Sequence, residues 1–173
     1  MFYSVAIPSL IDSIQKFYFI GDQQKADENA TAITIQTNPH TVIPLLFCTL
    51  AEVILEDFLR TLMRKQGLSE AVVNRLLGDH LTGKRRRESL FPVLTGCKWK
   101  AALEDLTSPS GPNFNATFDF YLEVNKARNR FLHDGVPWAI KTTHPQGCID
   151  HIWPLLKLFV GLHNRFVSPS VPS

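Results

Sequence analysis

The stretch from Thr41 to Gln66 constrains the fold more than any other. It is rich in Leu, Ile and Phe, has no proline after Pro44 and meets no glycine until Gly67. Phe47, Leu50, Ile54, Phe58 and Leu62 recur at helical spacing on one side, with Leu55, Leu59 and Met63 on another. A helix that is apolar over more than one face has to be enclosed by other elements. Arg64 and Lys65 in the last turn and Gly67 just beyond are stop signals for its C-terminus. Glu52, Glu56 and Arg60 make a polar line at four-residue spacing along it.

The enclosing elements also read as helices. Leu10, Ile14, Phe17 and Tyr18 mark one from Ser9 to about Ile20, with Pro8 near its start and Gly21-Asp22 as its expected stop. Ser69 is a plausible N-cap for a short helix reaching Leu77 before Gly78. A further helix is expected over Glu88 to Leu106, softened by Pro92 and Gly96, followed by the loop Thr107 to Pro112. The next runs from Ala116 or Thr117 to His133, and the last from Ile149 to Phe166, with Pro154 either kinking it or marking its true start. Between Gln23 and Asn38 the chain is polar apart from Ala32 to Ile35, a β-branched scrap that can be extended.

The expected class is all-α, an antiparallel helical bundle of about five to six helices. With 173 residues and 45% hydrophobic content the chain is long enough for one domain with its own core. Residues 1–40 are expected as an N-terminal extension holding one helix, and 168–173 as a disordered tail. Cys48, Cys97 and Cys148 are odd in number and too far apart for a zinc knuckle, which fits a reducing compartment. Met1 to Pro8 lacks a basic leader, and no apolar run reaches spanning length, so a cytoplasmic protein without membrane contact is expected. No metal and no cofactor are expected, since the histidines find no carboxylate or cysteine at ligand spacing.

A net charge of +2 says little about nucleic acid, but its distribution says more. Lys84, Arg85, Arg86 and Arg87 follow Thr82-Gly83 in a loop or helix start, and Lys98 and Lys100 flank Trp99. Such a cluster can hold phosphates, although charge runs are usually just solvated.

The chemistry concentrates in Arg128-Asn129-Arg130-Phe131-Leu132-His133, followed by Asp134-Gly135. On a helix Asn129 and His133 lie one turn apart on one face, with Arg128 about 100° round from Asn129 and long enough to reach toward it. Gly135 suits the C-cap, which leaves His133 near solvent. Phe120, Val124, Ala127 and Phe131 form an apolar face; Phe118, Leu122, Asn125, Asn129 and His133 form a mixed face suited to a second contact, such as another subunit. Arg75 to His80 repeats the Arg/His spacing, but Leu76 replaces the polar neighbour and Gly78 is expected to interrupt that helix.

The Arg128 to His133 stretch resembles the signature of the HEPN superfamily, the higher eukaryote and prokaryote nucleotide-binding domains, many of which are metal-independent ribonucleases. That signature is an arginine, usually a polar residue, a few more residues and a histidine near a helix end. The resemblance covers about eight residues. It implies a symmetric homodimer whose two motifs line one composite groove, cleaving RNA to a 2′,3′-cyclic phosphate and a 5′-hydroxyl, in a defence or toxin–antitoxin setting with an inhibitory protein partner. In that scheme His133 is the acid or base, Arg128 binds the scissile phosphate and Asn129 orients the imidazole or the phosphate. Asn125 and Glu52 or Glu56 support them, the carboxylates by pairing with Arg128, while Lys84, Arg85, Arg86, Arg87 and Arg130 contact RNA. The same resemblance also fits a non-catalytic module that binds RNA, a nucleotide or a protein partner.

Overall fold

The structure, a computed structural model, describes residues 5–26, 39–108 and 111–168. Its elements are α1 (Ala6–Ala26), α2 (Pro39–Lys65), α3 (Glu70–Asp79) and α4 (Gly83–Arg85), then a π turn (Arg86–Leu90) leading into α5 (Phe91–Thr95). There follow α6 (Trp99–Leu106), α7 (Phe114–His133), a 3-10 turn (Pro137–Ala139) and α8 (His144–Leu162), which ends in a second π turn (His163–Val167). Among the described residues there is no strand, and the fold is an all-α helical bundle. Ala32 to Ile35 and the tail from residue 169 lie outside the described residues. No helix of the described residues is long and apolar enough to cross a membrane.

Contacts gather into two compact units. The motif unit consists of Val5–Ala51 and Ala116–Trp153. The aromatic unit takes Glu52–Asn115 and the chain from Pro154 onward. Helix α1 is no appendage: Ile7 and Ile14 are buried, the Tyr18 hydroxyl donates to Gln146 Oε1, and Tyr18 stacks on His40 with ring centroids 5.3 Å apart.

That packing explains why α1 runs through Gly21 instead of stopping there. A Cβ on Gly21 would lie 2.1 Å from His40 Cδ2, so this glycine makes room for an imidazole. His40 Nε2 sits 3.2 Å from the Tyr18 carbonyl oxygen and 3.5 Å from Asp22 Oδ1. Elsewhere in the motif unit, Phe120 packs edge-on against Phe47 at 5.9 Å and stacks on His151 at 4.4 Å.

In the aromatic unit the core is a ring cluster. Phe91 meets Trp99 at 5.1 Å, Phe166 at 5.5 Å and Phe58 at 6.2 Å, and Phe159 touches both Phe58 and Trp99. Helix α2 ends as its sequence signals require: Gly67 has φ +80°, its N–H donates to the Arg64 carbonyl and the Leu68 N–H to that of Met63. The helix expected over Glu88 to Leu106 is broken. Gly96 adopts φ +68° after Thr95, and a new helix starts at Trp99. Gly78, in contrast, lies within α3, and Pro154 within α8.

Candidate active site at the end of α7

Helix α7 is the element that sorts the motif residues. Phe114, Thr117, Tyr121 and Val124 are buried at spacings of three and four residues, and Ala127 joins them. Leu122, Lys126, Asn129, Arg130, Leu132 and His133 are exposed, while Asn125 and Arg128 are half-buried. The apolar face therefore turns toward Tyr121 more than the sequence suggested, leaving Phe120 and Phe131 only half-buried.

His133 is the last residue of α7. Gly135, at φ +63°, reverses the chain, and the Arg130 carbonyl accepts from the N–H groups of both Asp134 and Val136, at 3.1 and 3.3 Å. The cap thus satisfies the Arg130 carbonyl twice over while His133 stays exposed. Arg128 Nη1 donates to Asn125 Oδ1 at 3.1 Å. Asn125, Asn129 and His133 succeed one another at four-residue steps, so this bond draws the Arg128 head toward the stripe that carries Asn129 and His133.

The carboxylates considered for Arg128 belong to the aromatic unit. Glu56 has both oxygens engaged there, Oε1 with Arg60 Nη2 at 3.2 Å and Oε2 with Arg86 Nη1 at 3.0 Å. Glu52 is half-buried on α2.

The basic run does not stay together as four exposed cations. Thr82 accepts the Arg85 N–H at 3.2 Å and starts α4, so the run lies on helical turns. Lys84 and Arg85 are exposed. Arg86, its side chain only 13% exposed, pairs with Glu56 and donates through Nε to the His80 carbonyl at 2.9 Å. Arg87 is buried at 7% exposure. Lys98 and Lys100 are exposed on either side of a buried Trp99.

A clamp beside the motif helix had no local sequence signal. Glu123 Oε1 receives Lys141 Nζ at 2.5 Å and lies 3.3 Å from Nε2 of the buried His144. The Lys141 backbone N–H donates to His144 Nδ1 at 3.2 Å, so the neutral ring carries its proton on Nε2 and donates to Glu123. The Lys141 ammonium, and after it His144, hold the Glu123 carboxyl below the usual glutamate range. Partners 18 and 21 positions apart leave no spacing to read. Among the described residues no group of three or more His, Cys, Asp or Glu side chains could hold a metal ion.

Comparison with the models of known protein families, with curated proteins and with solved structures finds no match.

Proposed function

We propose that the chain is a metal-independent endoribonuclease of the HEPN type, working as a homodimer with a composite site. The observation that carries this reading is His133, exposed at the capped end of α7 and one turn from Asn129. Cleavage without a metal needs a base for the 2′-hydroxyl, an acid for the leaving 5′-oxygen and a cation beside the phosphate. One imidazole takes the 2′-hydroxyl proton as that oxygen attacks phosphorus. A second, protonated, imidazole gives its proton to the departing 5′-oxygen, leaving a 2′,3′-cyclic phosphate and a 5′-hydroxyl. The Arg128 guanidinium stabilises charge on the non-bridging oxygens.

The spacing along α7 favours pairing in trans. With its head held at Asn125, Arg128 acts eight positions from His133, about 12 Å along the axis at 1.5 Å per residue. A second α7 meeting the first near its capped end would bring the two His133 rings together with both Arg128 side chains along one groove, an arrangement that a two-fold axis allows.

The test is cleavage of structured RNA in EDTA. His133→Ala is expected to lower the rate by about 100-fold or more, and Arg128→Ala by a similar factor, with far-UV circular dichroism unchanged. Mixing the two variants adds the decisive step: heterodimers keep only one Arg128 and one His133, so a site that needs both imidazoles stays near the activity of the single variants, and recovery of about a quarter of wild-type activity would overturn the two-imidazole scheme. RNA left equally intact by wild type and variants overturns the proposal.

A further inference from the structure

The segment after the motif is folded back along α7 as a strap. Its first anchor is the Val136 N–H on the Arg130 carbonyl; its second is Lys141, joined by His144, on Glu123. Arg130 and Glu123 are seven residues apart and share one face of the helix. Between the anchors sits the 3-10 turn Pro137–Ala139, closed by the Ala139 N–H on the Val136 carbonyl at 3.1 Å. Val136, Ala139 and Ile140 are half-buried, yet Trp138 in their midst is 76% exposed.

A tied-down turn holds the Trp138 ring in solvent at fixed geometry, where a large flat amphipathic surface is available to a ligand. The neighbouring helix face selects the occupant by its charge. Lys126, Arg130 and His133 are all exposed next to the strap, with Asn129 between them. An indole beside several cationic or hydrogen-bonding side chains fits an unpaired nucleobase, whose π-face stacks while its phosphates meet the charges.

Resting on the ribonuclease reading above, we propose that Trp138 is a stacking platform for an unpaired base of single-stranded RNA, with Lys126 and Arg130 contacting the flanking phosphates. This makes the preferred substrate a loop or single strand, and duplex RNA a poor ligand.

The experiment measures binding of a short single-stranded RNA to the full chain carrying His133→Ala, which removes cleavage. Adding Trp138→Ala is expected to weaken binding about tenfold or more, and Trp138→Phe to restore most of it. Trp153→Ala, removing the other exposed indole, is expected to change nothing. An RNA with abasic sites should bind the Trp138-containing chain as weakly as intact RNA binds the Trp138→Ala chain, which a structural role of Trp138 would not produce. Tight binding that is indifferent to Trp138 overturns the platform and leaves the ribonuclease reading standing. Failure of wild type to bind or cut any RNA removes both. Sedimentation showing that Trp138→Ala turns a dimer into a monomer also overturns the platform, because the ring then serves a second copy of the chain.

Discussion

An alanine methyl at Gly21 would collide with the His40 ring, so Gly21→Ala is expected to destabilise the motif unit by about 1–3 kcal/mol. His40→Ala on its own loses the stack on Tyr18, yet it also empties the space that the methyl needs. The double variant should therefore cost clearly less than the two singles added together, measured by urea unfolding. The sequence showed Gly21 as a helix stop because nothing local announces a ring arriving from His40. Phe120 and His151 support a pH prediction. Burial holds the His151 imidazole below the ordinary histidine value, against a smaller opposing pull from Asp150. Below about pH 6.5 the unfolded chain takes up this proton more readily than the folded one. The stabilising contribution is complete above that pH and falls away as pH drops toward the folded value. His163, also lowered chiefly by burial, acts in the same sense. The loss of Tm between pH 7.5 and 5.5 is accordingly expected to be smaller in His151→Gln than in wild type. Glu123, shifted downward, acts only in the acid range, where stability is lost as pH falls below the ordinary carboxylate value.

Among the elements, α7 and α2 were legible because periodicity and caps agree. The stop at Gly135 was readable from glycine chemistry alone, and its φ of +63° makes that dependence testable. Gly135→Ala forces an L-residue into the left-handed region and should cost about 1–2 kcal/mol, loosening the final turn that carries His133. Hydrogen exchange confined to the last turn of α7 would report it, with Gly135→Asn milder. The helix break at Gly96 was less legible: a glycine in mid-pattern reads either as a tolerated interior residue or as a cap, and only the positive φ decides. The basic run misled for another reason. Four adjacent cations look alike in sequence, but successive helical positions point about 100° apart, so one side chain went to Glu56 and another inside.

For the whole molecule, the all-α class followed from hydrophobic spacing, whereas the division into two units did not, because each is assembled from distant stretches. The candidate site was legible where it is local: Arg128, Asn129 and His133 lie within two turns of one helix. The Glu123 clamp and the orientation of Trp138 depend on the chain's return after Gly135 and carry no pattern. The composite reading makes a prediction at this scale as well. Wild type at micromolar concentration should sediment as a dimer, and activity per chain should fall on dilution through the dissociation range. A monomer with undiminished activity would refute the trans arrangement.

The interleaving of the two units also fixes the order in which a newly made chain can mature. As the ribosome extrudes it from the N-terminus, α1 and the start of α2 wait for α7 and the opening of α8 before their unit has all its parts. The ring cluster waits longer still, since Phe159 and Phe166 follow every part of the motif unit along the chain and the Lys65 ammonium meets the Val167 carbonyl only then. On this schedule the stretch from Arg128 to His133 is already packed in its own unit while Phe58 and Phe91 still lack the rings that complete theirs.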